Sequence, residues 1–551
     1  MALLSLTGKR WVIHETGAVA ESVVEMLLRR RKIEALGEGE ILESVGENAR
    51  QFRDFEKAAD RIAHAIASKE SISIFGDYDC DGITSTALLA RFFHRRNVRP
   101  LLRLPHRLKE GYGLQNAAVD ELKAAGVRLL ITVDTGVTAV EPIARLRDAG
   151  IDVIVLDHHT LPEILPPAFA ILHPELAEPR MTPSPCGAGI AWSMISAMEE
   201  QDGHADWPDR ASDMALAAIG TVADVVELRG GNRTLTFGGL QALMGLTEGP
   251  LALLSAHAGL QKPFTSRDIA FRIAPRINAA GRMDDPHIAL HALLGDTGSL
   301  LQLDALNRER QDVVSGHIED LLPLAEAETG SMLCFVSEEY SAGICGLLAS
   351  RVCEMHGKPS LVAAQSGDIC TASLRSIPGY DVTAGLARCS DLLMNFGGHA
   401  MAAGCTFAAQ SFSLLRERLQ ADALAHIAEE HFFPAVAAEC ALDIRHVTME
   451  LCDALQVLEP FGQGNPEPRF VIESATLENI RCVGKDGKHL QATVRGRKLI
   501  GFSMGHLEKN AGQPLDLLCR VGIDTWQGRR NVQLFLDDMR VTIREPISLP
   551  S

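Results

Sequence analysis

The pattern of apolar and polar positions between residues 71 and 156 alternates short hydrophobic runs with longer amphipathic stretches. The short runs predict strands at 71–75, 98–104, 129–133 and 152–156. The stretches after the first three predict helices over about 83–95, 116–125 and 139–149. This alternation predicts an α/β fold whose parallel, doubly wound sheet carries helices on both faces.

Polar side chains follow three of these predicted strands where each strand ends. They are Asp77, Asp79 and Asp81 after the first strand, Asp134 after the third, and Asp157, His158 and His159 after the fourth. Because ligands of such sheets bind beyond the carboxyl ends of the strands, we expect these side chains to meet at one edge. Oxygen-rich sets with histidine suit Mg²⁺ or Mn²⁺. The sequence therefore predicts a metal site, in preference to a solvated acidic turn or a calcium loop, which would need a preceding helix.

Two further features concern this site. A helix predicted over 213–223 ends at Asp224, and a buried carboxylate after such an apolar run needs a partner, for which a metal is available. His158 and His159 directly follow a strand, so their side chains should point to opposite sides. One ring can then bind a metal while the other faces a substrate. The alternative to a metal-binding and substrate-facing pair is that both histidines are structural and pack against loops.

The middle of the chain predicts a second α/β region. Residues 298–328 carry apolar side chains at helical spacing and predict a long amphipathic helix that bridges two lobes. Predicted strands follow at 331–336, 361–364 and 369–373, with a helix at 344–355. The stretch GGHAMAAG at 397–404 places His399 after two glycines and, we expect, before a helix whose backbone N–H groups would bind an anion.

From about residue 440 the pattern changes to short strands with hairpin signals at 485–488 and 527–530. Five strands are predicted, at 475–483, 490–494, 499–504, 515–523 and 532–541, which suits an OB-type barrel. Residues 481–540 hold eleven Lys and Arg against six Asp and Glu. This excess predicts a basic face that holds a nucleic-acid strand, with a merely solvated basic face as the alternative. Its candidate residues are Lys485, Lys488, Arg495, Arg529 and Arg530, with Trp526 as a stacking platform.

The 551-residue chain is 46% hydrophobic and 23% charged, with a formal net charge of −18. The acidic balance argues against a general nucleic-acid coat, but an acidic exterior can outweigh the narrow basic channel of a nucleic-acid enzyme. No apolar run is long enough to span a bilayer, and the residues before Lys9 are too few for a signal peptide. Twelve scattered cysteines without CxxC spacing predict reduced thiols in a cytoplasmic protein. A basic run at 29–32 is expected to be a solvated helix end.

Four motifs carry a resemblance to a known family. GDYDCDG (76–82), TVDTG (132–136), DHH (157–159) and ADVV (223–226), in this order, resemble the motifs of the DHH phosphoesterase superfamily. Within it the chain is most similar to the bacterial exonucleases that degrade single-stranded DNA from 5′ to 3′. The supporting segments are LPHRLKEGYGL (104–114), PRINAAGRM (275–283), GICGLLASRV (343–352), SLRSIPG (373–379) and GGHAMAAG (397–404). The resemblance covers about residues 50–545, and Glu227 departs from it where proline is more usual.

The resemblance implies two α/β lobes, the DHH and DHH-associated domains, joined by a long helix and followed by an OB-like β-barrel. We place an N-terminal segment at 1–50, the DHH domain at 51–255 and a connector with the long helix at 256–330. The DHH-associated domain follows at 331–435, where it would close the cleft over substrate, and the OB-like nucleic-acid-binding domain at 436–551.

The resemblance also implies the roles of the site residues. Two Mg²⁺ or Mn²⁺ ions would be held by Asp79, Asp81, Asp134, His158 and Asp224, with Asp134 as the bridge. Asp77 and Asp157 would orient these ligands, and Asp77 is also counted with the metal-binding set. His159 would contact the scissile phosphate or the leaving oxygen, so the catalytic set is His159, Asp134 and Asp81. Substrate phosphates would be bound by Arg107, Lys109, Arg276, Asn278, Arg282, Ser373, Arg375 and His399. A bland helix-capping role is the alternative for Arg276, Asn278 and Arg282.

The implied function is a metal-dependent 5′-to-3′ exonuclease that hydrolyses single-stranded DNA to mononucleotides in repair and recombination. Single-strand-binding protein and a RecQ-type helicase are the implied partners of a monomer with no membrane association. One alternative is a DHH-family hydrolase of small nucleotides or oligoribonucleotides, which would not need the basic C-terminal appendage. Another is a DNA-binding scaffold without metal activity, against which the full set of candidate ligands argues.

Overall fold

The computed structural model describes residues 4–15, 22–33, 49–107, 109–111, 113–204, 206–526 and 529–542. They form two α/β lobes and a C-terminal sheet domain. All twelve cysteines are free thiols, in agreement with the predicted reduced state. Among the described helices, none combines the length and apolar character needed to cross a membrane.

The first lobe is built on a five-stranded parallel sheet, which confirms the predicted doubly wound arrangement. In spatial order its strands are Leu101–Arg103, Ile72–Gly76, Leu129–Val133, Asp152–Leu156 and Ala170–Leu172. Alternate side chains of the strands enter different cores. Ile74 and Ile131 pack with the helices of one face, whereas Phe75 and Leu130 pack with those of the other.

The helices that follow the strands begin and end close to the predicted positions. Those of the first lobe are Phe55–Ala67, Cys80–Arg95, Asn116–Ala124, Val140–Asp148, Gly187–Gln201, Arg210–Ala223, Gly230–Gly245, Pro250–His257, Ser266–Asp268, Ala274–Met283 and His287–Leu293. A π-helical turn, Ile269–Ile273, lies directly before Ala274–Met283. A short 3₁₀ turn covers Pro174–Leu176.

The helix after the acidic turn begins at Cys80, three residues earlier than predicted. The cause is Asp79, whose Oδ1 accepts hydrogen bonds from the N–H groups of Asp81 (3.0 Å) and Gly82 (3.2 Å). A carboxylate at this N-cap position satisfies amides that have no partner inside the helix. Asp81 therefore lies in the first helical turn rather than in a loop.

The long helix Thr297–Ala327 joins the two lobes, as predicted. Leu300 and Leu303 belong to the core of the first lobe. Leu321 and Ala325 pack instead against the second lobe, in the same core as Leu348. One rigid element therefore has its two halves in two different cores and fixes the lobes relative to each other.

The second lobe has a five-stranded mixed sheet. In spatial order its strands are Leu393–His399, Ala402–Ala408, Ile369–Arg375, Ser360–Ser366 and Leu333–Ser337. Its main helices are Ala342–His356, Val382–Arg388 and Phe412–His426.

The predicted helix after His399 is wrong, because Leu393–His399 and Ala402–Ala408 form an antiparallel hairpin. Gly398 has a φ of +139°, and a Cβ there would lie 2.5 Å from the carbonyl oxygen of Ala402. The small residues therefore permit close strand approach instead of forming a helix. His399 is exposed at the end of its strand, so the expected anion site at a helix N-terminus does not form at this position.

The C-terminal domain has a sheet of eight strands rather than five. In spatial order they are Arg10–Glu15, Ala435–Ala441, Arg469–Ala475, Leu515–Trp526, Arg529–Val541, Arg497–Gly501, His489–Val494 and Glu478–Val483. Both predicted hairpins are confirmed, since Glu478–Val483 pairs antiparallel with His489–Val494 and Trp526 pairs with Arg529. Residues 527 and 528 and the Trp526 side chain lie outside the described residues.

Residues 10–15 and 22–33 of the N-terminal segment are part of this C-terminal domain, which the sequence did not reveal. Arg10–Glu15 is a parallel neighbour of Ala435–Ala441, and Leu27 of the helix Val23–Arg31 is buried in the same core as Phe470. The expected solvated helix end is wrong for Arg31, which is only 6% exposed. Its guanidinium forms an ion pair with Glu439 and donates 2.6 Å hydrogen bonds to Asn465 Oδ1 and the Pro466 carbonyl. The helix end thus anchors the N-terminal segment to the domain.

Candidate metal centre and arginine cluster

The carboxyl edge of the first sheet brings the predicted ligands together. Three groups of side chains each hold their donor atoms within 4.8 Å of one another: Asp77, Asp79 and Asp134; Asp134, His158 and His159; and Asp81, Cys186 and Asp224. Asp134 is shared by two groups. Cys186 precedes the helix Gly187–Gln201 and was not predicted, because an isolated cysteine carries no spacing signal.

Asp134 and His158 form the centre of this cluster. His158 Nε2 lies 3.1 Å from Asp134 Oδ1, 3.6 Å from Asp224 Oδ2 and 3.9 Å from Asp81 Oδ2. Asp134 has a left-handed backbone, with φ +59°, which aspartate tolerates better than most residues. The turn after the strand Leu129–Val133 therefore aims this carboxylate back over the sheet edge.

Asp81 is held by a neighbouring helix as well as by its own. Its carboxylate accepts hydrogen bonds from the N–H groups of Gly187 (2.7 Å) and Ala188 (2.9 Å), at the start of Gly187–Gln201. Helix N-termini stabilise negative charge at this position. A Cβ on Gly187 would lie 2.7 Å from Cβ of Asp134, so glycine is needed for this close packing.

The carboxylates are crowded enough to perturb one another. Burial, followed by the charges of Asp81 and Asp79, raises the pKa of Asp224 to about 9. Burial and neighbouring carboxylates also raise the pKa values of Asp77 and Asp134 well above the ordinary range. Asp77 Oδ1 is buried and has no hydrogen-bond partner within the described structure. A hard divalent cation would relieve this repulsion, so the donor set fits Mg²⁺ or Mn²⁺.

The two histidines have different environments. Burial lowers the pKa of His158, which favours the neutral imidazole that binds metals. Burial alone would also lower the pKa of His159, but the hydrogen bond to Asp157 outweighs it and raises that pKa. Asp157 Oδ1 lies 2.8 Å from His159 Nδ1, and its Oδ2 accepts a 2.9 Å hydrogen bond from the Val137 N–H. Asp157 therefore fixes the orientation of the His159 ring.

A cluster of arginines lies beside the acidic turn, between the lobes. Burial, followed by the charges of Arg107, Arg310 and Arg375, lowers the pKa of Arg282 to about 9. Within the described ranges, no carboxylate lies within 4 Å of any of these four guanidinium groups. Arg107 stacks over the Tyr78 ring at 4.9 Å, and Arg282 Nη1 donates a 3.2 Å hydrogen bond to the Gly343 carbonyl of the second lobe. Crowded cations of this kind form a site for a multiply charged anion.

Arg310 was missed by the sequence reasoning. It lies on the long helix among Arg308 and Glu309, where the alternating charges resemble a solvated face. In the structure its Nε is buried without a hydrogen-bond partner, and its Nη2 donates a 2.9 Å hydrogen bond to Asn307 Oδ1.

The structure favours structural roles for two predicted phosphate ligands. Arg276 Nε lies 3.2 Å from Asp304 Oδ1, and its Nη1 donates to the Arg272 carbonyl at 2.7 Å, so this side chain joins two helices. Asn278 Oδ1 accepts a 2.9 Å hydrogen bond from the Cys80 N–H and thereby holds the acidic turn. The helix-capping alternative thus fits Asn278, which accepts from the first residue of the helix Cys80–Arg95, whereas Arg276 joins two helices.

The remaining predicted substrate residues are more peripheral. Ser373 lies two residues before Arg375 on the same strand and is half-buried. Lys109 is exposed on the loop after Arg107. His399 is exposed on the hairpin, where its carbonyl accepts a 2.9 Å hydrogen bond from the Thr383 hydroxyl.

The fold and the site together define the class of this protein, in which a DHH domain is followed by a DHHA1 domain. Family models match in three places: "DHH family, N-terminal domain" at residues 71–219, "DHHA1 domain" at 329–424 and "RecJ OB domain" at 438–538. The chain belongs to the RecJ family, as the following relatives establish.

The curated relatives are called single-stranded-DNA-specific exonuclease RecJ. The Escherichia coli relative is 32% identical over 532 residues, covering 89% of this chain and 90% of the relative. The Bacillus subtilis relative is 32% identical over 515 residues, which is 89% of this chain but only 64% of the relative. The chain therefore spans about two thirds of the length of that longer protein.

Solved structures agree with the fold. The structure of Thermus thermophilus RecJ in complex with Mn²⁺ matches with a TM-score of 0.83 and 28% identity, covering 98% of this chain and 80% of the other. The Mg²⁺ complex from the same organism matches with a TM-score of 0.77 and 26% identity, covering 97% and 79%. These matches confirm the predicted α/β lobes and C-terminal OB-like domain.

Proposed function

We propose that this chain is a metal-dependent exonuclease that hydrolyses phosphodiester bonds of single-stranded DNA from the 5′ end and releases mononucleotides. The observation that carries the proposal is the juxtaposition of five crowded carboxylates with four arginines that have no described carboxylate within 4 Å. The first group suits divalent cations and the second suits phosphates. The specificity and metal ions stated for the relatives support the same assignment. A role in DNA repair and recombination follows from this activity.

The metal centre would consist of Asp79, Asp81, Asp134, His158 and Asp224, with Asp77 beside them. When bound, two divalent cations would supply an activated water and neutralise negative charge on the phosphodiester. The chain's own contribution is to hold the ligands in fixed positions before substrate arrives. The amides of Gly187 and Ala188 do this for Asp81, and the left-handed turn does it for Asp134.

His159 would act on the substrate side of this centre. The hydrogen bond to Asp157 raises its pKa, which favours the protonated ring, and the same bond fixes the ring through Nδ1. A ring in this state can donate a hydrogen bond to a phosphate oxygen or to the leaving oxygen. Asp157 then acts as a positioning residue for His159.

The arginine cluster would bind the 5′-terminal phosphate. A terminal phosphate carries more charge than an internal one and offers more oxygens, so four guanidinium groups select it over an internal phosphate. Arg107 and Arg282 come from the first lobe, Arg310 from the long helix and Arg375 from the second lobe. Ser373 and Lys109 would contribute at the edge of this pocket. A strand whose end is held here would lie with its first phosphodiester bond at the metal centre.

The cleft between the lobes would also exclude duplex DNA. The long helix fixes the lobes relative to each other, so the cleft would keep a constant width that admits a single strand but not a duplex. Specificity would thus come from shape rather than base reading. The exposed Lys485, Lys488, Arg495 and Arg529 would hold the incoming strand through its phosphates. Arg530, by contrast, is paired with Asp453 and contributes less to this face.

We further propose the domain division given above, with the change that residues 10–15 and 22–33 belong to the C-terminal domain. Single-strand-binding protein and a RecQ-type helicase are the proposed partners, because the first binds single strands and the second produces them. We propose that the enzyme itself is a cytoplasmic monomer. The acidic net charge fits an enzyme that partners load onto DNA, since an acidic surface repels the phosphate backbone.

The decisive experiment digests end-labelled substrates with Mg²⁺, Mn²⁺ or EDTA. The substrates compared are single-stranded DNA, blunt duplex DNA, RNA, a dinucleotide and a cyclic dinucleotide. Each oligonucleotide is labelled at either its 5′ end or its 3′ end. We expect metal-dependent release of a labelled mononucleotide from 5′-labelled single-stranded DNA and progressive shortening of the 3′-labelled strand. Faster turnover of the dinucleotides than of long strands would instead support a small-nucleotide hydrolase.

A further inference from the structure

A buried histidine, His173, lies at the same edge of the first sheet as the candidate metal centre. It directly follows the strand Ala170–Leu172 and is only 1% exposed. This strand is the parallel neighbour of Asp152–Leu156. Parallel strands end side by side, so His173 stands next to the segment 157–159 that follows the neighbouring strand.

Both ring nitrogens of His173 have a partner. Nδ1 accepts a 3.2 Å hydrogen bond from the main-chain N–H of Glu175 and thereby caps the 3₁₀ turn Pro174–Leu176. A ring nitrogen that accepts carries no proton, so the ring is neutral and its one proton is on Nε2. Nε2 lies 2.8 Å from the carbonyl oxygen of His159 and therefore donates to it. The cap thus selects the tautomer that binds His159.

His159 is held from two sides by these contacts. Its main-chain N–H donates to Asp157 Oδ1 at 3.1 Å, and its ring Nδ1 lies 2.8 Å from the same oxygen. Asp157 therefore holds the amide end and the ring of His159. His173, which comes from a different strand, holds the carbonyl end.

The carbonyl end is the one that leads into a loop. Residues 160–169 contain no helix or strand, and Ile164 within them is 73% exposed. Loop segments move more readily than the sheet to which they are attached. The bond from His173 therefore ties down His159 at the point where regular structure stops. A shift of about 1 Å in a reacting group can cost about 100-fold in rate, so this tie bears on the chemistry.

His158 does not depend on the same tie. Its main-chain N–H donates a 2.8 Å hydrogen bond to Asp157 Oδ1, and its ring faces Asp134. The effect of His173 should therefore be confined to His159 and should spare the metal ligand beside it.

We propose that His173 is a positioning residue, which holds the main chain of His159 and thereby keeps the imidazole of His159 on the substrate side of the metal centre. The proposal rests on the proposed function, in which His159 contacts the scissile phosphate or the leaving oxygen. His173 itself touches neither substrate nor metal. Its loss should lower the cleavage rate and leave the affinities for DNA and Mn²⁺ unchanged.

The first test compares two variants in single-turnover cleavage of single-stranded DNA at saturating Mn²⁺. In His173→Phe the new ring fills the space but forms neither hydrogen bond, and the rate should fall by about 10- to 100-fold. In His173→Asn the amide still offers one acceptor to Glu175 and one donor to His159, so most of the rate should return. His356→Phe, which replaces a ring whose Nε2 is buried without a hydrogen-bond partner in the described structure, is the control and should leave the rate unchanged.

The second test asks whether His173 acts through His159. His173→Phe is combined with His159→Ala, and the rates of the four proteins form a double-mutant cycle. A residue that positions His159 has nothing left to position once that ring is removed. His173→Phe should therefore lower the rate by less than about twofold in the His159→Ala protein. Equal losses with and without His159 would overturn the proposal, because they would show that His173 supports the fold at large.

A third measurement does not require activity. In protein labelled on histidine, the NMR signals of the His159 ring are assigned by their loss in His159→Ala. They should shift or broaden in His173→Phe and stay in place in His356→Phe. Unchanged His159 signals or an unchanged cleavage rate in His173→Phe would overturn the proposal. A wild type that cleaves no DNA, but whose His159 signals still respond to His173→Phe, would refute the exonuclease assignment and support the contact.

Discussion

The main-chain N–H of Leu228 donates a 2.8 Å hydrogen bond to the carbonyl oxygen of Gln463. Leu228 lies four residues after Asp224, and Gln463 lies in the C-terminal domain. Arg233 strengthens the same contact, since its Nη2 donates to the carbonyls of Val457 (2.8 Å) and Glu459 (2.9 Å). The C-terminal domain therefore supports the turn that carries a candidate metal ligand.

Arg233→Ala should weaken this support. Loss of two hydrogen bonds from a buried cation should lower the free energy of unfolding by about 2–4 kcal/mol, measured by urea denaturation. The apparent affinity for Mn²⁺, measured by calorimetry, should fall as the Asp224 turn loosens. Arg229→Ala, which removes an exposed side chain with one bond to the Gly464 carbonyl, is the control and should change both quantities little. Reduced stability with unchanged Mn²⁺ affinity would show that the contact does not position Asp224.

Asp134→Asn and Asp81→Ala should have opposite effects on stability. Asparagine tolerates the left-handed backbone at 134 and removes one of the crowded carboxylates. The free energy of unfolding in EDTA should therefore rise by about 1–2 kcal/mol. Asp81→Ala removes the acceptor of two helix N-terminal amides and should lower stability by about 1–2 kcal/mol. Both should reduce cleavage by at least about 100-fold, and Mn²⁺ should stabilise each less than it stabilises the wild type. Near-normal turnover of either variant would refute the metal-centre assignment.

The two histidines should be separable by experiment. His159→Ala should reduce the cleavage rate by about 100-fold or more while Mn²⁺ affinity stays close to that of the wild type. His158→Ala should reduce Mn²⁺ affinity, because its Nε2 faces the carboxylates. Calorimetry with Mn²⁺ together with single-turnover cleavage distinguishes them, and the reverse pattern would exchange their roles.

Arg375→Ala and Arg310→Ala should weaken recognition of the 5′ end. Loss of one charge-assisted contact should reduce the ratio of kcat/KM for 5′-phosphorylated over 5′-hydroxyl DNA by about 10-fold or more. Arg388→Ala is a control in the same lobe, because Arg388 is paired with Asp422 at the surface. An unchanged ratio in either variant would remove that arginine from the proposed pocket.

Lys485→Ala combined with Lys488→Ala should make DNA affinity less dependent on salt. Each lysine that contacts a single strand contributes about 0.7 to the slope of log K against log salt. Arg530→Ala should change the slope little, since this arginine is already paired with Asp453. Equal slopes for the lysine variant and the wild type would place the strand elsewhere on the domain.

The sequence predicted that the acidic side chains meet at one edge of the first sheet, because this follows from the local pattern of strands and helices. Asp77, Asp134 and Asp157 each end a strand whose apolar run is unmistakable, and parallel strands bring their ends together. The long helix was equally clear, since its apolar spacing persists over about eight turns.

Non-local pairing accounts for what the sequence did not reveal. The glycine-rich hairpin around His399 has a single β-branched residue, Thr406, in its two strands, so its pairing with the neighbouring strand rather than its own sequence identifies it. In the sequence, Arg31 resembles any solvated basic residue at a helix end. Its role depends on Glu439, which only the fold brings beside it. Arg310 gains its significance only from Arg282 and Arg375, which lie on other elements.

The strand Arg10–Glu15 has a consequence for how the protein is made. Trp11 Nε1 donates a 2.7 Å hydrogen bond to Asp538 Oδ2, 527 residues later in the chain. Arg10–Glu15 lies at the edge of the sheet and pairs with Ala435–Ala441, so both lobes lie between the two strands in the chain. On a ribosome the strand therefore waits for its partner until both lobes have been made and can fold. A nascent chain stalled in the second lobe would leave the backbone groups of Arg10–Glu15 unpaired and open to aggregation.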